Sequence, residues 1–98
     1  MPLNQLETDL RLRARELMRA GTLPTGIPRR TWGGNGSGEL CSLCGRRIHP
    51  SDIEYEFEMS EGIARATYRF HFTCHAAWQF ESTRQMRLNE SRAEAKVS

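Results

Sequence analysis

Leu3, Leu6, Leu10, Ala14 and Leu17 recur three and four residues apart. That spacing puts them on one helical face and predicts an amphipathic helix over residues 3–20. Gly21 suits the position just past a helix end, and Pro24 follows where a helix cannot continue. On the polar side Arg11, Arg15 and Arg19 form an i, i+4 stripe. Such a stripe is either a solvated face or a contact for phosphates or an acidic partner. The periodicity then vanishes: residues 21–38 hold six of the eight glycines and two of the four prolines, the composition of a linker arm. Trp32 is the lone aromatic there, and its expected role is to pin the arm onto a core. The glycine-rich run 32–38 lacks the Lys-Ser/Thr ending of a phosphate-binding P-loop.

The period changes to two after residue 52. Ile53, Tyr55, Phe57 and Met59 alternate with Glu54, Glu56 and Glu58, which is the pattern of a half-buried strand. Ser60, Glu61 and Gly62 supply turn chemistry. Ala64, Ala66, Tyr68 and Phe70 then alternate with Arg65, Thr67 and Arg69. The two runs predict an antiparallel hairpin whose polar face sets glutamate against arginine. Beyond it Thr73 is a candidate N-cap. Cys74, Ala77, Trp78, Glu81 and Gln85 trace one face of a helix expected to reach about Leu88. The sparse apolar content of residues 89–98 predicts a flexible tail. The expected organisation is thus a helix over 1–20, an arm over 21–38, an α+β core over 39–88 and a tail over 89–98.

Charge adds little. The 98 residues carry a net charge of +2, distributed as six arginines against three acids over 1–31, four against six over 39–80, and four basic residues against three acids thereafter. This surplus is too small to mark a nucleic-acid binder by itself. No apolar run approaches the roughly 20 residues of a membrane span. The opening residues are acidic where a secretory leader would be basic, so the expected location is cytoplasmic.

The chemistry lies in three cysteines. A set of three cannot pair completely within one chain, and a core of about 40 residues needs a staple. Cys41 and Cys44 form a Cys-x-x-Cys turn, and Gly45 lets the backbone fold back over the sulfurs. His71 and Cys74, three apart at a helix start, share one side of its first turn. The hairpin returns the chain so that both pairs meet, giving a Cys3His shell suited to structural zinc. A Cys41–Cys44 disulfide closes so short a loop that it contributes only about 2 kcal/mol, against roughly 10–16 kcal/mol for structural zinc in small peptides. His75 and His49 are alternates for the histidine. His75 points about 100° away from Cys74 around a helix, and His49 follows closely after the first cysteine pair.

The order of knuckle, hairpin and helix, with the spacing Cys41-x2-Cys44-x26-His71-x2-Cys74, resembles a treble-clef zinc finger and one half of a LIM-type double finger. The resemblance covers residues 39–88 and implies a zinc-stapled α+β fold. Residues 13–17, Thr31 to Gly34, the Cys41/Cys44 pair and the run from Phe70 to Trp78 also resemble short bacterial proteins, a likeness that implies no activity. Treble clefs serve protein binding, nucleic-acid binding and, in HNH nucleases, catalysis. An HNH-like centre needs a further metal with its own ligands; only His75 remains on the helix, and no Asp-His pair occupies the first strand. A zinc deaminase needs His-x-Glu and Pro-Cys-x-x-Cys, both absent. The expectation is therefore a non-enzymatic zinc protein that docks a protein partner, or dimerises, through its N-terminal helix. The second reading is nucleic-acid binding through Arg11, Arg15, Arg19, Arg29 and Arg30, with Arg46 and Arg47 beside the knuckle.

Overall fold

The computed structural model describes residues 3–61 and 64–97. Its elements run α1 (Leu3–Arg19), β1 (Arg30–Asn35), β2 (Ile53–Glu61), β3 (Ala64–His71) and α2 (Phe72–Val97). The three strands form one antiparallel sheet in the order β1-β2-β3. The chain is α+β, as the pattern requires.

The alternation in β2 and β3 is realised as a hairpin in which Tyr55 faces Phe70, Phe57 faces Tyr68 and Glu56 faces Arg69. Phe57 and Phe70 are fully buried, and Met59 nearly so. Trp78 of α2 stacks on Phe57 with ring centroids 4.4 Å apart, and Phe70 lies 5.2 Å from Phe57. Offset aromatic stacking at these separations adds to plain burial. On the other face Arg69 meets Glu56 at 3.3 Å, the expected cross-strand pair. Ile53 departs from the pattern: it begins its strand and stays exposed. Glu54 departs the other way. It is buried because Ser37 of the arm donates to it through both its hydroxyl, at 2.6 Å, and its backbone N–H, at 3.3 Å. The turn expected at Gly62 lies outside the described residues.

The arm is more structured than its composition suggests. Residues 30–35 form the edge strand β1, register-matched to β2 from Arg30↔Glu58 to Asn35↔Ile53. All six residues are exposed, the strand pairs with β2 through its main chain, and no apolar periodicity announces it. Trp32 is not the buried anchor expected of it; it remains 45% exposed. The anchors lie elsewhere. Trp78 Nε1–H donates to the Pro24 carbonyl at 2.9 Å. Ser82 accepts from Gly26 N–H at 2.9 Å and donates to the Gly26 carbonyl at 3.0 Å.

Both helices bury the faces their spacing implies, with shifted boundaries. α2 begins at Phe72, so Thr73 lies inside the helix and is not its N-cap. Cys74, Ala77, Trp78 and Glu81 are buried. The helix continues past Leu88 to Val97, so the segment expected as a tail is helical; residues such as Glu, Arg and Ala are good helix formers even without a core to face. α1 packs: Ala14 is fully buried, with Leu10, Leu17 and Met18 against the core. Its support is α2 and the knuckle, not the hairpin face. α2 already covers that face through Trp78. Arg11 and Arg15 are drawn inward by the same packing. Arg11 lies 4.0 Å over the Phe80 ring, and Arg15 forms two bonds to the buried Glu81 carboxylate at 3.1 and 3.2 Å.

Candidate metal centre

The knuckle is a tight hairpin. Leu40 and Arg47 bridge in antiparallel fashion, Cys41 N–H donates to the Arg46 carbonyl at 2.8 Å, and Gly45 N–H donates to the Cys41 carbonyl at 3.0 Å. Gly45 adopts φ of +77°, the left-handed conformation that a side chain disfavours. Ser42 N–H donates to the Arg69 carbonyl at 2.7 Å, and Arg69 N–H donates back to the Ser42 hydroxyl at 3.2 Å. This stitches the knuckle to β3. β3 runs directly into α2, so His71 ends the strand while Cys74 occupies the first turn of the helix.

These connections bring Cys41, Cys44, His71 and Cys74 into one group whose ligand atoms all lie within 4.8 Å of one another. His71 Nδ1 is 3.4 Å from Cys44 Sγ and 3.9 Å from Cys74 Sγ. A zinc ion with Zn–S near 2.3 Å and Zn–N near 2.0 Å sets sulfur and nitrogen about 3.5 Å apart in a tetrahedron, so the donors already stand close to a coordinating arrangement. The other ring nitrogen, Nε2, lies 3.1 Å from the Arg47 carbonyl. A carbonyl only accepts, so Nε2 carries the proton and Nδ1 presents its lone pair to the sulfurs. Asp52 stands 3.9 Å from Nε2 and also accepts from His49 N–H at 3.1 Å.

The thiols also behave as a group. Cys74 donates to the Cys41 sulfur, which holds Cys41 down to about 4. The same bond, with burial and the negative charge of Cys41, pushes Cys74 far above the ordinary thiol range. Burial likewise raises Cys44. One thiolate is thus easily formed and the next two oppose it, so a cation is the natural means of ionising all three. No disulfide joins them; all three are free cysteines.

The alternates are placed elsewhere. His75 stacks on Tyr55 with centroids 4.7 Å apart, and burial lowers its pKa. His49 is exposed and lies outside the ligand group. Of the arginines named as contacts, Arg11 and Arg15 hold α2, Arg29 uses its backbone N–H to bond the Glu58 carbonyl at 2.9 Å, and Arg19 and Arg30 are exposed.

Three partners were not legible in the sequence. The Arg47 carbonyl orients His71, Asp52 stands behind it, and Arg13 donates through Nε to the Leu43 carbonyl at 2.6 Å, tying α1 to the knuckle. Two of these contacts end on backbone carbonyls, to which side-chain spacing is blind. A groove of about 440 Å³ adjoins the centre, bordered by Leu6, Leu10, Arg13, Arg46 and the edges of Cys44 and His71. Among the described residues no helix is long and apolar enough to cross a membrane. Compared with protein-family models, curated proteins and solved structures, the chain matches none.

Proposed function

We propose that the chain is a small non-enzymatic zinc protein whose metal is structural. The observation that carries this reading is the Cys3His group itself, four donors within 4.8 Å supplied by knuckle, strand end and helix start. Thiolate-rich tetrahedral sets select zinc over hard cations, and four protein ligands leave no open position for a reacting water. The order of knuckle, hairpin and helix supports a treble-clef arrangement. The biochemical role we assign is protein interaction. Leu6 and Leu12 of α1 are 42% and 46% exposed, and Leu6 borders the groove beside the centre. An apolar-edged groove next to a rigid metal core suits a docked segment of a partner.

Native mass spectrometry of protein expressed with zinc available should give the chain mass plus one zinc ion. A Cys41→Ser variant should lose the metal and its cooperative unfolding transition. Retention of both metal and fold by that variant overturns the metal reading.

A further inference from the structure

A second site lies away from the metal, where the C-terminal half of α1 meets the middle of α2. The contacts advance in the same sense along both helices: Arg11 meets Phe80, and Arg15 meets Glu81. Arg19, one turn beyond Arg15, lines the same cleft as Arg84 and Arg92, which lie about two helical turns apart on α2. With Arg15, these arginines line one cleft of about 550 Å³, a volume in the range of small-ligand sites.

Glu81 is the one carboxylate among the lining residues, and it is spoken for. It is 2% exposed, takes both bonds from Arg15, and lies 3.7 Å from Arg84 Nη1. Among the described residues the guanidiniums of Arg19 and Arg92 make no hydrogen bond or ion pair. Four positive groups against one negative group leave the cleft a surplus of three charges, more than the +2 of the whole chain. Such a local concentration in a nearly neutral molecule focuses the field on one place.

We infer that this cleft binds a phosphate group, with Arg19 and Arg92 as its principal donors and Arg84 as a further one. Planar guanidiniums match phosphate oxygens in paired hydrogen bonds, which an isolated ammonium does not. The Arg15–Glu81 pair is the anchor that holds the two helices at this separation. No residue of this cleft belongs to the metal centre or to the groove beside it.

The phosphate can belong to a small phosphate ester or to a nucleic-acid backbone, and the test distinguishes them. The full chain is titrated with pyrophosphate, a nucleoside monophosphate and a short oligothymidylate at low salt. Binding should weaken by at least roughly tenfold in an Arg19→Gln/Arg92→Gln variant. Both side chains are exposed, so its melting temperature should match the parent. Saturable binding of the small phosphates alone assigns a small ester. Binding of the oligomer alone assigns a backbone, and its salt slope should then fall by about 1.4 in the double variant. An Arg29→Gln/Arg30→Gln variant, which removes equal charge from the arm, should bind like the parent. The inference is overturned if no probe binds, if the Arg19/Arg92 variant binds as the parent does, or if the Arg29/Arg30 variant loses as much.

Discussion

His71, His75 and His49 are chemically equivalent donors placed in three different environments, and the surroundings rather than the residue type select one. His71 has its Nε2 proton held by the Arg47 carbonyl and its Nδ1 turned to two sulfurs. His75 spends its ring on Tyr55. A His71→Ala variant should therefore release the metal, while His75→Ala and His49→Ala keep it at one equivalent, as measured by competition with a chromogenic chelator. Loss of metal from the His75 variant with His71 intact would reassign the ligand. Asp52→Ala removes the carboxylate behind His71 and should weaken metal retention by about tenfold, the lower end of what outer partners contribute, because Asp52 is half-exposed and 3.9 Å away. The four donors were readable because paired i, i+3 spacing survives as spacing in space. The orienting partners were not, since a carbonyl has no signature in side-chain order.

At the scale of elements, legibility follows burial. β2, β3 and the first half of α2 bury alternating or helical faces, so their side chains betray them. β1 buries none of its six residues and contains two glycines, a residue depleted in strands; only its main-chain bonds to β2 define it. The same holds for the joint between the arm and α2. Ser82 is 1% exposed and satisfies both the N–H and the carbonyl of Gly26. Ser82→Ala leaves both groups without that partner in a partly buried place, which costs about 1–2 kcal/mol and lowers Tm by on the order of 5–10 °C. Thermal denaturation of the metal-loaded protein measures this directly. A Trp32→Ala variant should shift Tm far less, since that ring is nearly half-exposed. The reverse ranking would return Trp32 to the anchoring role that its isolation in the arm suggested.

At the scale of the molecule, the centre is connected to the packing of α1. The knuckle is joined to β3 through Ser42 and Arg69, to α2 through Cys74, and to α1 through Arg13 and Leu43. A metal held there would consequently tie three elements together, and its removal would act on all of them at once. Structural zinc contributes on the order of 10–16 kcal/mol in small domains, comparable with the whole stability of about 5–15 kcal/mol of a typical folded protein. Chelation at neutral pH should accordingly abolish slow amide exchange in residues 41–48, in β3 and in the buried face of α1 together, and the near-ultraviolet signal of the buried Trp78 should collapse with it. Acid should do the same. Ligand thiolates that stay deprotonated in the metal-bound fold regain protons once unfolded, so stability is full above the ordinary thiol range and is lost as pH falls. Hydrogen exchange with and without chelator separates the outcomes. If exchange rises in the knuckle alone, α1 and α2 form a unit that stands without metal, and the aromatic cluster of Phe57, Phe70 and Trp78 is the true staple of the fold. If all three elements open together, the metal holds the core, and Arg13 carries that dependence from the sulfurs to the N-terminal helix.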